Sequence, residues 1–126
     1  MPRKKSPTLT EAEQRLMEVL WERGESTVAE VVEGVAVRPT PAYSTVLTTL
    51  RILERKKYVE HTKEGRAFRY RPVVDRRTAR QSAVRHLLGR FFDGSPSQLV
   101  LNLIEQEEIG ARELKRLRKL IGEGRR

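Results

Sequence analysis

The stretch Ala42-Tyr43-Ser44-Thr45-Val46-Leu47-Thr48-Thr49-Leu50-Arg51 stands between Pro41 and the plainly helical run LRILERKK, residues 50–57. Its spacing predicts a helix from about Pro41 or Ala42 to Lys56, because Val46, Leu50 and Leu53 recur at i, i+4 and i+7. Its composition argues the other way. Four hydroxyl residues and a β-branched valine are poor helix formers. A helix built from such material needs a reason, and one reason is close approach to another molecule. Short side chains let a helix sit deep in a DNA major groove. Their hydroxyls bond base edges or phosphates, and a Thr methyl can touch a thymine methyl.

The neighbouring segments support a helix-turn-helix. Thr10 with Glu13 and Thr27 with Glu30 are two capping boxes. The first opens a helix over about 10–23, with Ala12, Leu16, Val19 and Leu20 at helical spacing and Gly24 as its stop. The second opens a short helix over about 27–36, striped by Val28, Val31, Val32 and Val35. Pro39 and Pro41 forbid a continuous helix into the next one. Beyond Lys57 the period changes from 3.6 to 2. Residues 58–62 and 67–71 read as strands, with Phe68 and Tyr70 alternating with Arg69 and Arg71, and Gly65 in the turn between them. Three short helices followed by a basic hairpin make a winged helix-turn-helix.

Charge points to the same place. The 126 residues carry a net charge of +9, which favours polyanionic partners. Residues 8–50 hold three basic and seven acidic side chains, whereas residues 51–71 hold eight basic and three acidic. The basic excess therefore follows the hydroxyl-rich helix. Ser44, Thr45, Thr48 and Thr49, with Tyr43 and Leu47 beside them, are the candidate groove-facing residues. Leu47 is expected to stand exposed, able to meet thymine methyls, and Arg51 and Arg55 to reach base edges or phosphates. Lys63, Arg66 and Arg69 are the candidate wing contacts to phosphate. Arg76, Arg77 and Arg80 either extend that footprint or solvate the next helix. Arg3, Lys4 and Lys5 belong to a basic tail, residues 1–7, and residues 123–126 form another.

There is no cysteine, which excludes disulfides, thiolate metal sites and thiol catalysis. Only His61 and His86 offer imidazole, and nothing in the sequence pairs a nucleophile with a base. The expectation is a non-enzyme without cofactor or metal. No run approaches a membrane span or a signal peptide, so the expected location is the cytoplasm without membrane insertion.

Past the hairpin, helices are predicted at about 75–92, 96–107 and 111–122. Asp75 can cap the first, and Ser95 followed by Pro96 starts the second. Their apolar positions, Leu87, Leu88, Phe91, Phe92, Leu99, Val100, Leu103, Ile104, Leu114, Leu117, Leu120 and Ile121, exceed what so small an arm covers alone. A homodimer is the commonest solution. The domain reading is a winged-helix domain over 8–73 and a helical dimerisation region over 74–122, a mainly α fold with a small β wing.

The runs LTEAEQRLMEVLWERGESTVAEVV (9–32), AYSTVLTTLRILERKKYV (42–59), EGRAFRYRPVVDRRTA (64–79) and SQLVLNLIEQEEIGARELKRLRKLI (97–121) resemble the penicillinase-repressor and methicillin-repressor family (BlaI/MecI). The resemblance covers about residues 8–121. It implies a dimeric repressor bound to a twofold-symmetric double-stranded DNA operator, dimerising through its C-terminal part. It also implies inactivation by a membrane sensor-protease that detects β-lactams. The matching stretch is Leu101-Asn102-Leu103-Ile104, with the cut at Asn102–Leu103, where the family commonly has phenylalanine after the asparagine. A second departure is Lys57, where the family usually has glycine. A copper-responsive branch with a C-terminal cysteine motif is excluded by composition. The same fold can also hold RNA or a protein partner, which is the competing reading.

Overall fold

Thr10 and Thr27 both cap helices as their spacing predicts. In a computed structural model of the chain, which describes residues 8–124, each threonine hydroxyl accepts from the amide three residues on, and Glu13 and Glu30 reach back. Bonded in this way to the Thr27 amide, the Glu30 carboxyl is held below its ordinary pKa. The elements run α1 (Glu11–Arg23), β1 (Ser26–Thr27), α2 (Val28–Gly34), α3 (Tyr43–Arg55), β2 (Val59–Glu64), β3 (Ala67–Pro72), α4 (Arg76–Phe91), α5 (Pro96–Glu105) and α6 (Ala111–Gly124). The chain divides into two compact units, residues 1–84 and 85–126, with the division inside α4. The tail carrying Arg3, Lys4 and Lys5 lies outside the described residues. Glu123 and Gly124 continue α6.

The first unit is a winged helix. Its sheet is antiparallel in the order β1-β3-β2. Leu16, Met17 and Leu20 of α1, Val28 and Val31 of α2, and Val46, Leu50 and Leu53 of α3 meet over it, together with Tyr58, Val59 and Tyr70. Ala12, expected on the inner stripe of α1, is exposed; Met17 takes the buried place. β1 was not expected from the sequence. It is two polar residues long, and it forms because Ser26 and Thr27 pair with Tyr70 and Arg69.

Two devices fix the C-terminal end of α3. Its C-terminus closes in a Schellman motif: the Tyr58 amide donates to Leu53 O at 2.9 Å and the Lys57 amide to Glu54 O at 3.0 Å. Lys57 therefore sits at φ 74°, the left-handed position that glycine takes without penalty. The next device is ionic. Lys56 Nζ lies 2.7 Å from Glu13 Oε1 and 3.3 Å from Thr8 O, tying the end of α3 to the start of α1. At the far end of α1, Trp21 Nε1 donates to Val74 O at 2.9 Å, and Arg76 lies over the indole, 2.7 Å from Glu18 Oε1. Asp75 then caps α4 through the Thr78 amide, a bond that also lowers the Asp75 carboxyl pKa.

α2 packs tightly against α1 at Gly34. A Cβ there would stand 2.8 Å from Val19 Cγ1 and 3.1 Å from Arg23 Cζ. Because the buried valine methyl has little room to move, Gly34→Ala should lower unfolding free energy by about 1 kcal/mol or more, despite alanine's higher helix propensity. Lys57→Gly should act oppositely. Relief of the left-handed conformation outweighs the extra freedom of the unfolded chain, for a gain of about 0.5–1 kcal/mol. Urea unfolding of the two variants beside the wild type reads both signs in one experiment.

Candidate nucleic-acid interface

α3 has two unlike faces. Val46, Leu50 and Leu53 are buried, and Ser44, Thr48, Arg51 and Arg55, spaced i, i+4, i+7 and i+11, are all exposed. Tyr43 and Thr45 are exposed at the N-terminal end, so the first turn offers only short or planar side chains to a groove. No side chain caps this helix, and its first turn holds no acid that would repel a phosphate. Arg51 and Arg55 form no ion pair among the described residues, which leaves both guanidiniums available.

The other two candidates on α3 are placed differently from expectation. Leu47 is half-buried and packs against the core, so it offers a partner only part of its side chain. The reason is that position 47 follows the buried Val46 and borders the inner face. Thr49 is half-buried, and its hydroxyl donates to Thr45 O at 2.9 Å, which occupies its proton within the helix.

β2 and β3 form a hairpin that turns at Gly65, φ 62°, with Arg66 beside it at the tip. Lys63 and Arg66 are exposed and free of ion pairs among the described residues; Lys63 Nζ lies 5.9 Å from the Phe68 ring centroid. Arg69 is half-buried, 3.4 Å from Glu25 and 3.6 Å from Glu64, and Arg71 is paired with Glu60. Arg76 is likewise engaged, by Glu18 and Glu22, so it supports the fold rather than projecting as free charge. The free cations of the hairpin are thus Lys63 and Arg66. Acids 5 to 58 residues distant in sequence claim Arg69, Arg71 and Arg76, and no local motif reveals the far ones, Glu18, Glu22 and Glu25.

His61 joins the wing to α3, a contact sequence reading missed. Its Nδ1 lies 2.7 and 2.9 Å from the two carboxylate oxygens of Glu54, and its ring meets Phe68 edge-on at 5.3 Å and Tyr70 at 5.4 Å. Burial pushes the Tyr70 hydroxyl pKa up; Glu54 adds to the shift and Arg51 opposes it. Among the described residues no cluster of His, Asp or Glu could hold a metal ion, and no helix is long and apolar enough to cross a membrane.

The second unit exposes apolar side chains. Leu87, Phe91, Val100, Leu120 and Ile121 are exposed, Phe91 by 65% and Ile121 by 60%. Leu101, not among the expected contacts, is 53% exposed. Phe92, Leu99, Leu103, Ile104, Leu114 and Leu117 are half-buried, and Leu88 is already buried within one copy. Asn102 is exposed in the middle of α5, and Ser95 caps that helix by accepting from the Gln98 amide.

Known proteins resemble this arrangement. The family described as penicillinase repressor matches residues 9–123. The penicillinase repressor of Bacillus licheniformis is 30% identical over 120 residues, covering 95% of this chain and 94% of that protein. The transcriptional regulator BlaI of Mycobacterium tuberculosis is 33% identical over 117 residues, covering 91% and 83%. Among solved structures, the DNA-binding domain of the repressor BlaI superposes with a TM-score of 0.51 at 34% identity, covering 58% of this chain and 89% of that domain. With a match over nearly its whole length, the chain belongs to the penicillinase repressor family.

Proposed function

We propose that this chain is a sequence-specific transcriptional repressor that binds a twofold-symmetric DNA operator as a homodimer. The observation that carries the reading is α3: a short-side-chain face with two unpaired arginines, exposed beside a hairpin with free cations at its tip. Ser44, Thr45 and Thr48 read base edges, with Tyr43 beside them and the outer part of Leu47 against a thymine methyl. Arg51 and Arg55 contact bases or phosphates further along the groove. Thr49 supports the helix rather than reading bases. Lys63 and Arg66 hold the flanking backbone without regard to sequence, and Arg69 contributes only where DNA draws it from Glu25 and Glu64.

The second unit supplies the dimer. The exposed Leu87, Phe91, Val100, Leu101, Leu120 and Ile121 give one copy apolar surface to bury against another. Two recognition helices are then held on half-sites about one helical turn, ~34–36 Å, apart or a multiple of it. The regulatory step of this reading is cleavage of the Asn102–Leu103 bond by a sensor-protease of the cell membrane. That bond lies within α5, so the helix must open locally to enter a protease. The cut detaches α6 from the rest of the chain, and the two half-sites lose their common tether. Fragment masses after incubation with the cognate protease decide this step; an intact chain or a cut elsewhere rejects it.

Selection of bound sequences from a random duplex pool tests the main reading. An enriched, twofold-symmetric site supports it; no enriched duplex turns attention to RNA or a protein partner. On the selected site, Thr48→Ala should weaken binding about fivefold (~1 kcal/mol) and leave non-specific duplex binding unchanged. Arg66→Ala should weaken all duplexes alike and reduce the salt slope by about 0.9. Ile121→Asp should shift the sedimenting species from dimer to monomer and lower affinity for the full site by about 10²-fold or more, with half-site affinity retained.

A further inference from the structure

Every ion pair among the described residues lies between residues 11 and 76. α6 holds five cations, Arg112, Lys115, Arg116, Arg118 and Lys119, all exposed and none paired among the described residues. At about 100° per residue, Arg112, Lys115, Arg116 and Lys119 fall within an arc of about 100°. Leu114, Leu117 and Ile121 lie on the opposite side, Arg118 borders them, and the exposed Leu120 stands between them and the arc, about 40° beyond Arg116. Arg112 with Arg116, and Lys115 with Lys119, are like-charge pairs at i, i+4, a spacing that works against the helix. A face shaped only for solvation would interleave acids there. Glu113 falls outside the arc, Glu123 falls within it but one turn beyond Lys119, and Glu105, Glu107 and Glu108 precede the helix; among the described residues none of them pairs with these cations.

We infer that this arc of α6 is a second, sequence-blind contact surface for the phosphates of duplex DNA. The inference rests on the DNA-binding reading of α3. Two observations favour duplex over a lipid surface. The arc holds no aliphatic or aromatic side chain to insert between acyl chains, and the apolar face of the same helix is the one the dimer covers. The spacing also fits. From Arg112 to Lys119 the axis rises about 10 Å, the length occupied by about three phosphates of one strand. Repressor bound at its operator would thereby hold flanking or neighbouring duplex as well.

The test compares the full-length wild type with Arg112→Gln/Lys115→Gln/Arg116→Gln/Lys119→Gln. Glutamine keeps helix propensity at exposed positions, and circular dichroism and sedimentation verify fold and assembly. A second variant, Lys115→Gln/Lys119→Gln, carries half the change. Affinity is measured against salt on the selected site alone and on the same site within a longer random-sequence duplex. The wild type should bind the longer duplex more tightly. The fourfold variant should lose that gain, with the slope of log affinity against log salt falling by about 2–3, and the double variant by about half as much. An unchanged slope on the longer duplex overturns the inference while leaving α3 as the reader. So does a variant that loses binding only to vesicles of anionic lipid. A wild type that binds no duplex overturns the DNA reading itself.

Discussion

The carboxylate of Glu13 holds together the two ends of the winged helix that matter most. It is buried, it accepts the Thr10 amide at the start of α1, and it accepts Lys56 at the end of α3. Taken singly, each bond is ordinary. Joined at one buried oxygen they become interdependent, because removal of either cation or cap leaves a charge away from water. α3 needs such an anchor more than most helices do. It lacks a side-chain cap at its N-terminus, and its residues were chosen for short length rather than helicity. Its stability comes from Val46, Leu50 and Leu53 in the core, the Schellman closure at Lys57 and Tyr58, and the tie to Glu13. The outer face is thereby released from structural duty, and that release leaves it available for the proposed recognition.

Much of this was legible in the sequence because it is written locally. A capping box is a four-residue device, so Thr10, Glu13, Thr27 and Glu30 disclose two helix starts without any tertiary knowledge. Ser95 before Pro96 does the same for α5. The pair Pro39 and Pro41 marks the turn, and Gly65 the hairpin. The contrast between the apolar and hydroxyl faces of α3 requires only the period of the helix. What escaped notice depends on contacts between distant residues. β1 is two polar residues that become a strand only through Tyr70 and Arg69. Arg69 and Arg76 read as free cations until Glu25 and Glu18 are brought beside them by the fold. Leu47 borders the core by a fraction of a turn, too fine a distinction for periodicity. Lys57 breaks the expectation of glycine, and the backbone keeps the left-handed turn regardless, since two backbone hydrogen bonds and the burial of Tyr58 outweigh the strain of one residue.

The distribution of ion pairs separates the two units by the kind of work they do. In the winged helix, acids hold Arg15, Lys56, Arg69, Arg71 and Arg76, whereas Arg51, Arg55, Lys63 and Arg66 have no ion pair among the described residues. Pairing thereby leaves the charge on α3 and at the wing tip uncompensated while it offsets that of Arg69, Arg71 and Arg76. On the proposed reading, a uniformly basic surface would hold DNA in many orientations, whereas uncompensated charge on α3 and the wing tip favours the orientation in which α3 enters the groove.

On the proposed function, this arrangement has an energetic consequence for regulation. One α3 offers a few hydroxyls, two arginines and two wing cations, and most of that interaction is with phosphate and so is blind to sequence. A single copy consequently discriminates weakly between its site and the bulk of the genome. Two copies on one tether square much of that discrimination through effective concentration, without any new contact. Specificity then resides as much in the helical second unit as in the recognition helix. In the proposed dimer, the exposed apolar residues of that unit, costly to leave in water, are the means of holding the tether. On this reading a single cut in α5 suffices as a switch, since it leaves each recognition helix intact and removes what makes the pair selective.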